Sequence, residues 1–168
     1  MTRPILAWHW TEGRKLRNGR PVRVGRWVRH KGDLVLCESG LHASRRALDA
    51  LGYAPGTCVW RVECDPEGMI EGNDKLVCRA RRALWGVDAT RLLRAFARRC
   101  VLDVAHLWSP VALRWLRHGR EQHRAVAWAA TAAARAATAK EEAAAWAAQE
   151  RRLVRMIHAE RRRMGVLP

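Results

Sequence analysis

Three features of the sequence predict an α+β fold. Short runs with a period of two fill residues 1–87, the periodicity switches to three and four from Asp88 onward, and residues 125–164 hold almost nothing that breaks a helix. The expected architecture is a small N-terminal antiparallel or mixed sheet with one short helix, then a helical C-terminal half ending in a long Ala/Arg-rich helix. It divides into a basic β-rich domain over 1–87, a helical part packed on it over 88–120, and a long helical tail over 121–168. Of the 168 residues 49% are hydrophobic, but alanine supplies much of this in the last third and buries little area, so the core material lies in the first two thirds.

Residues 5–10, Ile-Leu-Ala-Trp-His-Trp, read as a first strand buried on both faces. In the next segment Asn18-Gly19 is placed as a two-residue hairpin turn, with Val22, Val24 and Val28 supplying strand propensity on its far side. A second turn at Lys31-Gly32-Asp33 feeds a strand over 34–37. The stretch 39–44 then ends that strand and opens a short helix over 45–51, with Ser44 as N-cap and Gly52 as the residue beyond its C-terminus. Cys58, Trp60, Val62 and Cys64 alternate with Val59, Arg61 and Glu63, as a half-buried strand requires. A turn at Asp65-Pro66-Glu67-Gly68 leads to one or two short strands over 69–77, broken at Gly72-Asn73, and Arg79, Arg81 and Arg82 follow as a basic cluster.

Asp88 is a fitting N-cap for the first long helix, whose apolar face is Leu92, Leu93, Phe96, Cys100 and Val104. Ser109-Pro110 starts a further helix carrying Leu113, Trp115 and Leu116, and Gly119 ends it. The forty residues 125–164 would form a rod about 60 Å long. Trp128 and Trp146 are five whole turns apart on that rod, and Leu153 and Ile157 continue near their stripe. So narrow a stripe folds back on the globular part, pairs with a second copy as a homodimer, or docks on another protein.

Charge is the strongest functional signal. Lys+Arg number 32 against 16 Asp+Glu, for a formal net charge of +16. That balance favours polyanionic partners, and arginine, which predominates, matches phosphate bidentately. The five cysteines show no C-x-x-C pair, so they read as reduced, buried thiols rather than a disulfide framework or zinc site. No signal-peptide pattern and no membrane-spanning apolar run is found, so the expected location is the cytoplasm of a host cell, with no membrane partner.

The candidate nucleic-acid-binding residues are Arg14, Lys15, Arg17, Arg20, Arg23, Arg26, Trp27, Arg29 and Lys31, joined by Arg79, Arg81 and Arg82. The first segment has eight cations and no acid, and a two-stranded ribbon bearing them could track a phosphate backbone. A merely solubilising edge is the alternative. Nine tryptophans stand against one tyrosine and one phenylalanine; most belong in the core, and Trp27 is the one placed to stack on a base. In the stretch 39–44, His42 and Ser44 lie where a strand meets a helix N-terminus, a place that suits an anion or a catalytic group, though a tight bend at Gly40, a cap at Ser44 and a structural His42 are the plainer account. The histidines lack ligand spacing, so no metal and no cofactor is expected.

Gly40-Leu-His-Ala-Ser, the following Ala47-Leu48-Asp49 and Gly52-Tyr53, the strand over 59–63, Asp74-Lys75 and the alanine-rich tail together resemble an uncharacterised domain family of tailed bacteriophages and prophages. The resemblance covers roughly residues 20–105, and the tail by composition. It implies a phage context and little chemistry, because the family carries no assigned activity. Together with the excess of cations, it makes the leading expectation a non-enzymatic phage accessory protein that binds nucleic acid or a host nucleoprotein complex, as an anti-CRISPR-like inhibitor of host defence or an inhibitor of transcription would. More distantly, His9, residues 40–44, Tyr53 and Glu71 resemble positions of ADP-ribosyltransferase-like folds, which implies an NAD-dependent enzyme with His42 and Ser44 in its pocket. A virion or assembly component oligomerising through Trp128, Trp146, Leu153 and Ile157 is the third expectation.

Overall fold

The computed structural model describes residues 3–103 and 139–165. They fall into two compact units, one within 1–90 and 153–168, the other within 91–152. The sequence expectations for Val104, the helix from Ser109-Pro110 to Gly119, and Trp128 lie outside the described residues.

The first unit is built on a four-stranded antiparallel sheet in the order β1-β4-β7-β2. Strand β1 spans Ile5–Thr11, β2 Trp27–Arg29, β4 Cys58–Cys64 and β7 Ala80–Asp88. From Ala7 onward β1 is buried on alternate and intervening positions alike, as its unbroken apolar run requires. A second sheet, in the order β3-β6-β5, is formed by β3 (Leu41–Ala43), β5 (Ile70–Glu71) and β6 (Leu76–Cys78). Ala7, Trp60, Val62, Cys64 and Ala83 from the first sheet share a core with Ala43, Leu76 and Cys78. Beside it, α1 (Ala47–Leu51) accepts a hydrogen bond at the Ala47 carbonyl from Trp10 Nε1, 3.4 Å away.

Strand β4 is paired on both edges, and Trp60 faces Gly86 of β7. A Cβ on Gly86 would lie 2.3 Å from the Trp60 ring, so this glycine exists to let an indole cross the neighbouring strand. The ring is held by a hydrogen bond from Nε1 to Thr11 Oγ1, 2.8 Å. The β4–β7 register shifts between Arg61 and Val62, a bulge that leaves Leu84 unpaired.

The opposite face of the sheet is covered by the end of the long helix, α3 (Ala139–Arg163). Leu153 and Ile157 are fully buried. His158 meets Trp8 and Trp85 at centroid distances of 6.0 and 5.4 Å, and Arg161 lies 4.5 Å over the Trp85 ring. Of the three fates open to the apolar stripe, folding back is the one taken at 153–161, while Trp146 stays 44% exposed. In the second unit α2 (Thr90–Asp103) buries Leu92 and Phe96, and Asp103 accepts a forked ion pair from Arg152. Asp88 acts as the expected cap, its Oδ1 accepting the Thr90 amide at 2.8 Å.

Several local expectations are corrected. The Asn18-Gly19 turn has three residues, not two: Leu16 N–H bonds the Arg20 carbonyl, Gly19 N–H bonds the Leu16 carbonyl, and Gly19 takes φ 79°, a type I turn closed by a left-handed residue. The pairing is a single bridge, Lys15 with Pro21, flanked by the Leu16 N–H to Arg20 carbonyl and Val22 N–H to Arg14 carbonyl bonds, so residues 14–31 form no two-stranded ribbon; only β2 is regular. Residues 34–37 are not a strand but a tight turn closed by Val35 and Ser39, with Cys37 at φ 75°. Ser44 does not cap α1; its backbone bridges Trp8, and Arg46 stands at the N-cap without a side-chain bond. Strand β7, the longest among the described residues, has no counterpart in the sequence expectations. Finally, Cys58, Cys64 and Cys78 are buried as expected, whereas Cys37 is exposed and Cys100 only half-buried.

Candidate polyanion interface

Residues 14–31 run along the free side of the sheet, where β2 is the edge strand and pairs only with β7. Arg17, Arg20, Arg23, Arg26, Arg29, Lys15 and Lys31 are all exposed. Among the described residues no carboxylate forms an ion pair with any of them, whereas arginines elsewhere do pair: Arg45 with Glu71, Arg46 with Asp49, Arg82 with Glu63. Arg14 lies over the Trp60 ring at 5.1 Å.

The basic cluster after β6 is dispersed by the alternation of β7. Arg79 turns outward and donates from Nη1 to the Gly32 carbonyl at 2.7 Å, fastening the turn that ends the basic segment. Arg82 pairs with Glu63 at 2.5 Å and covers the ring of Trp27 at 5.1 Å. One face of the indole expected to stack on a base is therefore already occupied by a guanidinium from its own sheet. Arg81 points the other way and is only 7% exposed, a correction to its expected place on the surface.

Arg81 lies on the wall of a narrow cleft between the sheet and the basic segment. Val28, Val62 and Ala83 belong to its sheet side, Leu16 and Val22 to the opposite wall, and His9, Trp60, Arg23 and Arg26 complete it. It encloses about 20 Å³, room for about one water molecule. The guanidinium donates to the His42 carbonyl, the one hydrogen bond it makes among the described residues, and has no carboxylate partner there. Burial weakens its hold on its proton, and it depresses the neighbouring histidines: His9 falls well below the ordinary value through burial first and Arg81 and His42 second, and His42 through burial and then Arg81. Both rings are neutral at pH 7. A buried cation with most of its donors unused, beside two neutral imidazoles and two exposed arginines, is a place that favours an anion.

The Ser39–Ser44 stretch is structural in its hydrogen bonds. His42 Nε2 accepts the Cys37 N–H at 3.0 Å, which holds the left-handed turn, and Ser44 is buried with its backbone bonded to Trp8. Tyr53 donates to Asp74 and has Lys75 Nζ 3.9 Å from its ring centroid, while Glu71 is held by Arg45, so Tyr53 and Glu71 each have local partners. Cys64 and Cys78 share a hydrogen bond that raises the Cys64 thiol and lowers that of Cys78. No group of three His, Cys, Asp or Glu among the described residues could hold a metal ion, and none of their helices is long and apolar enough to cross a membrane.

The sequence signal for the exposed cations was plain, but none pointed to the cleft: it arises from the pairing of β7 with β4 and β2, which no local pattern announces. Neither a curated protein nor a solved structure matches the chain. Residues 14–95, just under half of the chain and spanning the basic segment, both sheets except β1, and the start of α2, match the model of a family described as a domain of unknown function, DUF7666.

Proposed function

We propose that the protein binds nucleic acid through phosphate contacts from residues 14–31, with Arg17, Arg20, Arg23, Arg26 and Arg29 as the principal cations. The observation that carries this reading is their exposure without an acidic partner among the described residues, in a protein of net charge +16. A fold that neutralises Arg45, Arg46, Arg82 and Arg152 with its own carboxylates leaves the edge of the sheet cationic. Because the segment is irregular, it would follow a backbone rather than enter a groove as a ribbon, giving binding with little base preference. The resemblance of residues 20–105 to phage domains supports an infected bacterial cell as the setting of this proposed activity, where the nucleic acid would be met bare or within a host nucleoprotein complex of defence or transcription.

The test is the salt dependence of binding. Replacing Arg20, Arg23 and Arg26 together by Gln should lower affinity for duplex DNA and reduce the slope of log K against log salt by about 2.7, since each lost phosphate contact removes about 0.9. For a single strand the expected reduction is about 2.1, at about 0.7 each. An unchanged slope in a folded triple variant would remove residues 14–31 from the interface.

A further inference from the structure

The cleft around Arg81 is distinct from the exposed cations because its deepest charge is hidden from water. Removing a cation from water is costly unless a counter-charge accompanies it, and among the described residues no carboxylate does: the sole acceptor for the Arg81 guanidinium there is the His42 carbonyl, with the Cys64 and Cys78 thiols as its favourable neighbours. Arg23 and Arg26 line the same cleft while remaining exposed, so together the three arginines form a graded path from solvent to a buried fork. The size of the cleft fits an oxygen entering ahead of a larger group left at the mouth.

From this geometry we infer that the cleft is a receptor for a phosphomonoester, the terminal phosphate of a nucleic-acid strand, with Arg81 taking the leading oxygen, Arg23 and Arg26 the outer ones, and the His9 imidazole bordering the site. Charge distinguishes a terminal phosphate from the internal diesters of the same strand. A monoester carries about −1.5 to −2 at pH 7, against one negative charge on a diester, and it has three unesterified oxygens for three guanidinium forks. A free end also reaches inward on a single ester link, where a diester must bring sugars on both sides to the same mouth. The inference rests on the nucleic-acid reading for the identity of its ligand, but not for the anion site itself.

The experiment compares short single strands of one sequence, fluorescently labelled at an internal base and carrying a 5′-phosphate, a 3′-phosphate or hydroxyls at both ends, by anisotropy with the full chain at fixed salt. One of the phosphorylated strands should bind about tenfold more tightly than the hydroxyl strand, and Arg81→Met should lose that preference while binding the hydroxyl strand as before. Should that variant fail to fold, inorganic phosphate added to the unaltered protein must erase the preference without displacing the hydroxyl strand. Equal affinity for all three strands overturns the terminal-phosphate site and leaves nucleic-acid binding intact. If no strand binds, the nucleic-acid reading falls, and the cleft is judged by inorganic phosphate alone. A rise in melting temperature at millimolar phosphate that Arg23→Gln diminishes retains it as an anion site; no rise overturns it.

Discussion

Replacing Gly86 by Ala adds one methyl group where the fold has no room for it. The new Cβ would meet three atoms of the Trp60 ring at 2.3, 2.5 and 2.7 Å, well inside van der Waals contact. The ring cannot swing away cheaply, because its N–H is bonded to buried Thr11 and Arg14 lies over its face. Overpacking of this kind costs 1–3 kcal/mol, and three sub-contact approaches to a pinned ring place Gly86→Ala near the top, at about 3 kcal/mol. Urea unfolding followed by tryptophan fluorescence reads the loss as a lower midpoint at unchanged slope. The same substitution in a Trp60→Leu background should cost under about 1 kcal/mol, since the clash leaves with the ring. A single variant within about 0.5 kcal/mol of the parent, or equal costs in the two backgrounds, would refute the account of β4–β7 packing.

Two further outcomes follow from burial. Ile157→Ala should cost roughly 2–5 kcal/mol, the range for truncating a fully buried aliphatic side chain, while Arg155→Ala on the exposed side of the same helix stays within about 0.5 kcal/mol; equal small effects would mean that the end of α3 does not cover the sheet. The second concerns pH. His9, His42 and His158 are all depressed by burial first and by nearby arginines, so the unfolded chain takes up protons that the folded chain refuses. Stability is then complete above the ordinary value of 6.5 and declines as pH falls below it, with His9 contributing up to about 1.4 kcal/mol per pH unit. Denaturation midpoints measured from about pH 7.5 to about 5, the range in which histidine titrates, should fall on acidification and do so less in His9→Gln; a flat profile would refute the burial of His9.

The α+β architecture was legible because β4 alternates over residues 60–64, although Val59 beside them is fully buried, and because the alanine-rich stretch leaves a helix little competition. Strand β7 was illegible for a reason visible in its register. The bulge opposite Arg61 and Val62 shifts the inward positions from Arg81 and Ala83 to Gly86, so no fixed period of two runs through Ala-Arg-Arg-Ala-Leu-Trp-Gly-Val-Asp. An arginine on the inner face then disguises the strand as a surface cluster. The short strand β3 was displaced in the same way: His42 and Ser44 suggested a cap, whereas the chain pairs Leu41–Ala43 with β6 and bridges Ser44 to Trp8. Exposed cations are a property of local composition and were readable at residues 14–31; the buried one depends on pairings between distant segments and was not.

The return of residues 153–163 to the first unit also bears on how the chain can fold as it is made. The sheet is complete in sequence by Asp88, but Leu153, Ile157 and the ring contacts of His158 come only after residues 91–152 have been added. At synthesis rates of about 5–20 residues per second this is a delay of roughly 3–12 s. During it the indoles of Trp8 and Trp85 lack their His158 and Arg161 covering. Closure of that face is therefore a late, long-range step, and slow emergence of the last helix would lengthen the period in which the nascent sheet is open to aggregation or to a chaperone.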